Sequence, residues 1–183
     1  MSDNPPMREK LASTPHTWLT TARGLKHCAE LLWHGLPYVS PTQHTTEWSG
    51  QRGAAFLLYA YAFENLIKGV SVARCSPGFD AYAAAKKSWP GRHHDLVPLA
   101  LTVTQLAPIE AEGLRKLSTY ARWAGRYPVP LNDREFDQEQ WEHFGEMTTP
   151  AETEALGALF DRLEREVPWA FVPPGTFDAT PGA

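Results

Sequence analysis

Residues 53–74 read GAAFLLYAYAFENLIKGVSVAR, and they form the longest stretch of the chain with unbroken apolar periodicity. Apolar residues recur every three or four positions, which predicts an amphipathic α-helix. We expect this helix to start near residues 45–49 and to end at Arg74, because a Ser-Pro-Gly sequence follows soon after. A helix of about 22 residues is roughly 33 Å long, which suits the central helix of a bundle. Its predicted apolar face consists of Phe56, Tyr59, Ala60, Phe63, Ile67 and Val70.

Three polar residues, Glu64, Asn65 and Lys68, interrupt this hydrophobic segment. Glu64 and Lys68 are four positions apart, in the order that favours an ion pair on one helix face. The simpler interpretation is a half-exposed pair that supports the helix, with Asn65 at its edge. The alternative is a polar cluster inside the bundle or at a subunit interface. There it would fix the register of the helices or hold a catalytic group on a partner helix.

Length and composition are typical of one soluble domain, with 183 residues, 43% hydrophobic and 21% charged. The formal net charge of −4 argues against a protein that coats nucleic acid through charge alone, but it is compatible with a local basic site. The first ten residues, MSDNPPMREK, have no apolar segment of a signal peptide. No apolar run reaches the ~18 residues of a membrane span. We therefore expect a cytoplasmic protein with no membrane association.

The remaining helices are marked by caps, prolines and apolar spacing. Thr14 and Pro15 favour a helix start, and Gly35 with Pro37 favours an end near His34. A Thr-Pro-Ala-Glu sequence at 149–152 is typical of a capping box. The predicted main helices besides the central one cover residues 14–34, 94–107, 108–124 and 149–167, and residues 79–89 are compatible with a short helix.

Four to five amphipathic helices with short connections predict an all-α fold, an antiparallel helical bundle. We assign residues 14–167 to this single domain. Residues 1–13 are polar and are predicted to form a flexible N-terminal arm. Residues 168–183 are rich in proline and glycine and are predicted to form an extended C-terminal tail.

A second candidate site is Arg92-His93-His94-Asp95, at the predicted start of the third main helix. Unbonded N–H groups and the helix dipole favour an anion at such a position, and histidines can transfer protons near neutral pH. The simpler interpretation is that Asp95 caps the helix while the histidines are solvated. No further side chains at metal-binding spacing lie nearby, so we predict neither a metal nor a cofactor.

A third candidate is a row of arginines, Arg115, Arg122 and Arg126, on the predicted fourth main helix. Residues seven and four positions apart lie along one helix face. Guanidinium groups bind phosphates or carboxylates in bidentate fashion, so such a row suits RNA or an acidic partner. A solvated helix face is the simpler interpretation.

Three segments resemble the HEPN superfamily of prokaryotic helical bundles: YAFENLIKG at 61–69, HDL at 94–96 and ARWAGRYPVP at 121–130. The resemblance implies a bundle fold, a homodimer and a place in a toxin–antitoxin or defence system, with an antitoxin or another protein as partner. In active members an arginine is followed four to six residues later by a histidine near a helix end. Two such motifs meet across the dimer and cleave RNA without metal; the histidine is the acid/base and the arginine supports the phosphate.

This sequence departs from that motif. Arg126 occupies the place of the arginine, but no histidine follows before His143. The resemblance therefore implies the fold and dimerisation more directly than it implies catalysis. If RNA cleavage is retained, His94 must supply the imidazole from another helix. In an antiparallel pair the start of one helix and the end of the next lie on the same side, so His94 and Arg126 can meet.

Two functions are compatible with these patterns. The first is a dimeric HEPN-like protein that binds RNA or nucleotide phosphate, including a degenerate metal-independent endoribonuclease. Its candidate residues are His94 and Arg126 as catalytic groups, and Arg92, His93, Arg115 and Arg122 as phosphate-binding groups beside Arg126. The second is a non-catalytic protein–protein interaction module, which the acidic net charge and the incomplete motif favour. A small-molecule pocket among the aromatic residues of the bundle is a third possibility, for which no sequence feature selects a ligand.

Overall fold

The structure is a computed structural model that describes residues 6–35, 46–76, 80–91, 94–124 and 149–168. These ranges are almost entirely helical and contain no strand, so the all-α prediction is confirmed. The helices in the described ranges are α1 (Met7–Ala12), α2 (Pro15–His34), α3 (Thr46–Arg74), α4 (Ala81–Lys86), α5 (Leu96–Leu101), α6 (Pro108–Thr119) and α7 (Pro150–Glu164). A π-helical turn, Tyr120–Ala124, continues α6 directly.

Helix α3 is the centre of the fold, because α2, α4, α5, α6, the π-helical turn and α7 all contact it. Its predicted apolar face is buried as expected, with Tyr59 half-buried at one edge. The ring of Phe63 meets that of Phe160 from α7 edge to face, with centroids 5.4 Å apart. The largest fully buried side chains around this contact are Leu19, Leu66, Ile67, Val70, Leu96, Leu114, Leu117, Leu159 and Leu163.

The long helices pack in antiparallel pairs. The end of α2 lies beside the first half of α3, since Trp33 lies against Phe56 with ring centroids 5.5 Å apart. At the other end, Gly69 of α3 lies against Trp18 of α2. Helices α6 and α7 are likewise antiparallel, because Lys116 near the end of α6 binds Glu152 near the start of α7. The predicted antiparallel arrangement therefore describes both pairs.

The start of α7 follows the predicted capping box. The Thr149 hydroxyl accepts a hydrogen bond from Glu152 N at 3.2 Å, and a Glu152 carboxylate oxygen accepts one from Thr149 N at 2.7 Å. The start of α2 differs from the prediction. Thr14 makes no cap bond to α2, and its hydroxyl instead donates to the Lys10 carbonyl at 2.8 Å.

Part of the predicted N-terminal arm is helical. Residues 7–12, which the sequence analysis placed in the arm, form α1. The Trp18 indole N–H donates to the Ala12 carbonyl at 2.7 Å and so ties the end of α1 to α2. The first five residues lie outside the described part of the chain, as does the predicted tail apart from Pro168.

The third main helix is much shorter than predicted. Helix α5 ends at Leu101 instead of Ala107. Three β-branched residues follow in a row, and such residues lose side-chain freedom in a helix. The Thr102 hydroxyl donates to the Leu99 carbonyl at 2.7 Å, which competes with helical bonding of that carbonyl. The apolar residues with helical spacing, Val103 and Leu106, still pack against the core without a helix.

The contact between α2 and α3 depends on a glycine. A Cβ added at Gly69 would lie 2.9 Å from Trp18 Cβ, so one of the two backbones would have to move. We expect Gly69→Ala to lower the free energy of unfolding by about 1–3 kcal/mol, despite alanine's better helix propensity. Urea denaturation measures this. Gly53→Ala on the same helix meets no atom within 4 Å and should raise stability by up to about 1 kcal/mol; equal effects at both positions would contradict the packing argument.

Candidate functional site

Glu64 lies at the centre of a polar cluster on the buried side of α3. The residue is only 6% exposed. One carboxylate oxygen accepts a hydrogen bond from Lys68 Nζ at 2.5 Å, and the other lies 2.7 Å from His94 Nδ1. Burial alone raises the pKa of Glu64, but the hydrogen bonds from Lys68 and His94 outweigh it and hold that pKa below its ordinary value. Glu64 is therefore a buried, ionised carboxylate with two cationic or potentially cationic partners.

His94 reaches Glu64 from the segment just before α5. Its backbone φ of 69° lies in the left-handed region, where a residue other than glycine is strained by about 1–3 kcal/mol. An ionised carboxylate can only accept hydrogen bonds, so His94 Nδ1 carries the proton in this contact. In the neutral imidazole, Nε2 is then the basic nitrogen. The geometry thus fixes both the ring orientation and its tautomer.

Aromatic rings surround the cluster. The Tyr61 ring meets the His94 ring edge to face, with centroids 5.6 Å apart. The Lys68 ammonium lies 5.2 Å from the centroid of the Trp89 ring, within cation–π range. The Trp89 indole N–H in turn donates to Ser71 Oγ at 3.2 Å. Tyr61, Trp89 and Ser71 were not predicted from the sequence to belong to this cluster.

Asn65 does not belong to the cluster. Its side-chain amide donates to the Tyr61 carbonyl one turn earlier at 2.8 Å, so its one described polar contact is with its own helix. Of the three polar residues predicted to act together on the central helix, the structure therefore joins Glu64 and Lys68 and adds His94.

The segment that presents His94 is held by α6 rather than by Asp95. Asp95 occupies the N-cap position of α5, but its side chain makes no cap bond. The Leu96 N–H instead donates to Ser118 Oγ at 2.9 Å, and Ser118 Oγ donates to the Leu114 carbonyl at 2.7 Å. Because Ser118 is buried on α6, this link fixes the start of α5 and the position of His94 relative to the core.

Of the predicted row of arginines, the structure describes Arg115 and Arg122. Arg115 is exposed and pairs with Glu112, three positions earlier on α6. Arg122 is half-buried and lies in the π-helical turn, where the 3.6-residue period of α6 is broken. Arg126 lies outside the described residues, as do Arg92 and His93, so the predicted meeting of His94 with Arg126 stays a prediction.

Comparison of the chain with known protein families, with curated proteins and with solved structures finds no match. Within the described ranges, no group of three histidine, cysteine, aspartate or glutamate side chains is arranged to hold a metal ion. In the same ranges, no helix combines the length and apolar character needed to cross a membrane.

Proposed function

We propose that this protein is a HEPN-like homodimer that binds RNA or another phosphate-bearing ligand at His94, with a degenerate metal-independent endoribonuclease activity, in a toxin–antitoxin or defence system. One observation supports this most directly. The Glu64 carboxylate contacts His94 Nδ1 at 2.7 Å, although the residues are 30 positions apart. That contact joins two of the segments on which the HEPN resemblance rests, residues 61–69 and 94–96.

The Glu64–His94 pair has the features of a general acid/base. A carboxylate on Nδ1 orients the imidazole and stabilises the imidazolium that forms when Nε2 takes a proton. In RNA cleavage, Nε2 would accept the 2′-hydroxyl proton while that oxygen attacks the adjacent phosphorus. The 5′-oxygen would leave with a proton from an imidazolium, for which the second protomer of the proposed dimer offers another His94. The same imidazolium would bind phosphate in a protein that no longer cleaves.

The arginines are expected to contribute unequally to phosphate binding. Arg115 is engaged with Glu112 on the exposed face of α6, so phosphate would have to compete with that carboxylate. Arg122 lies in the π-helical turn beside the core, and π-helical turns are frequent at functional sites. We assign phosphate contacts to Arg122 and Arg126 first, and a supporting role to Arg115, Arg92 and His93.

A non-catalytic protein–protein interaction module is the alternative. None of the residues of α1 is buried, and two large apolar side chains on it, Met7 and Leu11, are 60% and 46% exposed. Together with the acidic net charge, such a surface favours a protein partner such as an antitoxin over RNA.

Labelled single-stranded RNA at low salt tests the proposal, with binding followed by fluorescence anisotropy and cleavage by gel. We expect the His94→Asn variant to bind at least about ten-fold more weakly, a loss of ~1.4 kcal/mol. Asparagine tolerates the left-handed backbone, so the segment before α5 keeps its shape. The matched control is His27→Asn on the exposed side of α2, which should bind within about two-fold of wild type.

Two further measurements separate the alternatives. Glu64→Gln keeps the side-chain volume but removes the charge, so it should change the pH dependence of RNA binding or cleavage. Light scattering gives the oligomeric state. If the wild-type protein neither binds nor cuts RNA, and if Arg126→Ala changes nothing, the phosphate-binding proposal fails and the interaction module replaces it.

A further inference from the structure

A cavity of about 160 Å³ lies between the four longest helices of the described chain, α2, α3, α6 and α7. It shares no residue with the Glu64–His94 pair. Five aromatic side chains line it: Trp33, Phe56, Tyr59, Phe63 and Phe160. Ligand sites are common in cavities between the helices of a bundle, so this cavity is a candidate ligand site.

The size of the cavity suits a small molecule. An engineered cavity of about 150 Å³ in another protein, lined by apolar side chains, binds benzene. Drug-sized ligands occupy about 300 Å³ or more. One or two fused rings therefore match the volume of this cavity.

The wall has one polar end. Lys26 and Glu30 of α2 form an ion pair there, and both side chains are partly exposed, at 28% and 34%. The Lys26 ammonium also lies 5.5 Å from the centroid of the Phe160 ring. The cavity is thus not sealed, and its entrance carries a hydrogen-bond donor and an acceptor side by side.

Tyr59 adds a hydroxyl group near this entrance. Burial and the nearby Glu30 carboxylate raise the pKa of Tyr59 to about 12, so the hydroxyl keeps its proton at neutral pH and can donate a hydrogen bond. Leu117 and Leu156 complete the apolar part of the wall, and Thr153 of α7 adds a second hydroxyl group to the lining.

We propose that this cavity binds a small aromatic molecule that carries one hydrogen-bonding group, as an indole or a phenol does. The ring of the ligand lies among the aromatic side chains, where offset and edge-to-face contacts are favourable. Its N–H or O–H group meets the Glu30 carboxylate at the entrance. A purely aliphatic molecule of equal size would fill the cavity equally well but would gain none of the contacts between aromatic rings.

Gly157 of α7 allows the cavity to be filled without disturbing its wall. The residue lines the cavity, and a Cβ built there meets no atom within 4 Å. A leucine at this position projects into open space at the wall. Leucine is also a better helix former than glycine, so the helix itself is not weakened. Gly24 of α2 is the matched control, since it is exposed, helical and likewise free of neighbours within 4 Å.

Isothermal titration and ligand-observed NMR with indole test the proposal on the full-length protein. Wild type should show saturable binding with a dissociation constant below about 1 mM. Gly157→Leu should bind indole at least about ten-fold more weakly, Gly157→Ala by a smaller factor, and Gly24→Leu within about two-fold of wild type. Cyclohexanol should bind wild type several-fold more weakly than phenol, which has the same carbon skeleton and hydroxyl group in aromatic form. Circular dichroism checks that each variant is folded.

Three results would overturn the assignment: no saturable indole binding by wild type, undiminished binding by Gly157→Leu, or equal affinity for cyclohexanol and phenol. If Gly157→Leu does not fold, Gly157→Ala decides, because one added methyl group must still weaken binding. None of these outcomes depends on whether the protein binds RNA.

Discussion

Replacing Phe63 with alanine is expected to lower the free energy of unfolding by about 3–5 kcal/mol. The side chain is 2% exposed, and its ring meets that of Phe160 across the contact between α3 and α7. Truncation removes this buried area and enlarges the adjoining cavity, so the transfer cost and the cavity cost add. Urea denaturation followed by circular dichroism measures the change.

Leu31→Ala is the control for Phe63→Ala. Leu31 is a large apolar residue that is 61% exposed on α2, so its truncation should change stability by less than about 0.5 kcal/mol. A loss below 1 kcal/mol for Phe63→Ala, comparable to that of Leu31→Ala, would show that the α3–α7 contact does not hold the core together.

Glu64→Ala is expected to lower the free energy of unfolding by about 2–4 kcal/mol. The substitution leaves Lys68 and His94 without the carboxylate that both contact, and their side chains are only 19% and 30% exposed. Partial access to water keeps the loss below that of a fully buried pair. The control is Glu112→Ala, which breaks the exposed pair with Arg115 and should cost less than about 1 kcal/mol.

The pH dependence separates the charge of Glu64 from its packing. The pKa of Glu64 is lower in the folded than in the unfolded state, so its ionised form stabilises the fold above the unfolded pKa of about 4.3. That contribution is lost as the pH falls through the lower folded pKa. The stability difference between wild type and Glu64→Gln should therefore be full near pH 7 and should shrink below about pH 4. A constant difference across that range would contradict the electrostatic explanation.

The helices predicted best are those with independent signals at their ends. Pro15 at the start of α2 and the Thr149–Glu152 capping box of α7 both agree with the observed bounds. Helix α5 was overpredicted because Val103 and Leu106 continue its apolar spacing after the helix has ended. Apolar periodicity reports which side chains face the core, and a non-helical segment can satisfy it over one or two turns. The π-helical turn, which packs against α3, has no sequence signal of its own.

The Glu64–Lys68 ion pair was predicted from the sequence, but its contact with His94 was not. Glu64, Lys68 and His94 were each identified from the sequence, and a group held on a partner helix was one of the two interpretations of Glu64. From the sequence, His94 was expected to act together with Arg126 and not with Glu64. A buried carboxylate needs more than one hydrogen-bond donor, which is a reason to search for a second partner beyond Lys68. Which of seven histidines fills that place depends on the left-handed backbone at His94, which periodicity does not predict.

In the π-helical turn at residues 120–124, the number of residues matters for the structure as well as their identity. A turn closed by i→i+5 bonds contains one residue more than an α-helical turn. Deleting a single residue there would let α6 continue as a regular α-helix, because the wide turn already absorbs the extra residue. Related chains that lack one residue in this turn can thus share the core around Phe63, while the surroundings of Arg122 differ between them.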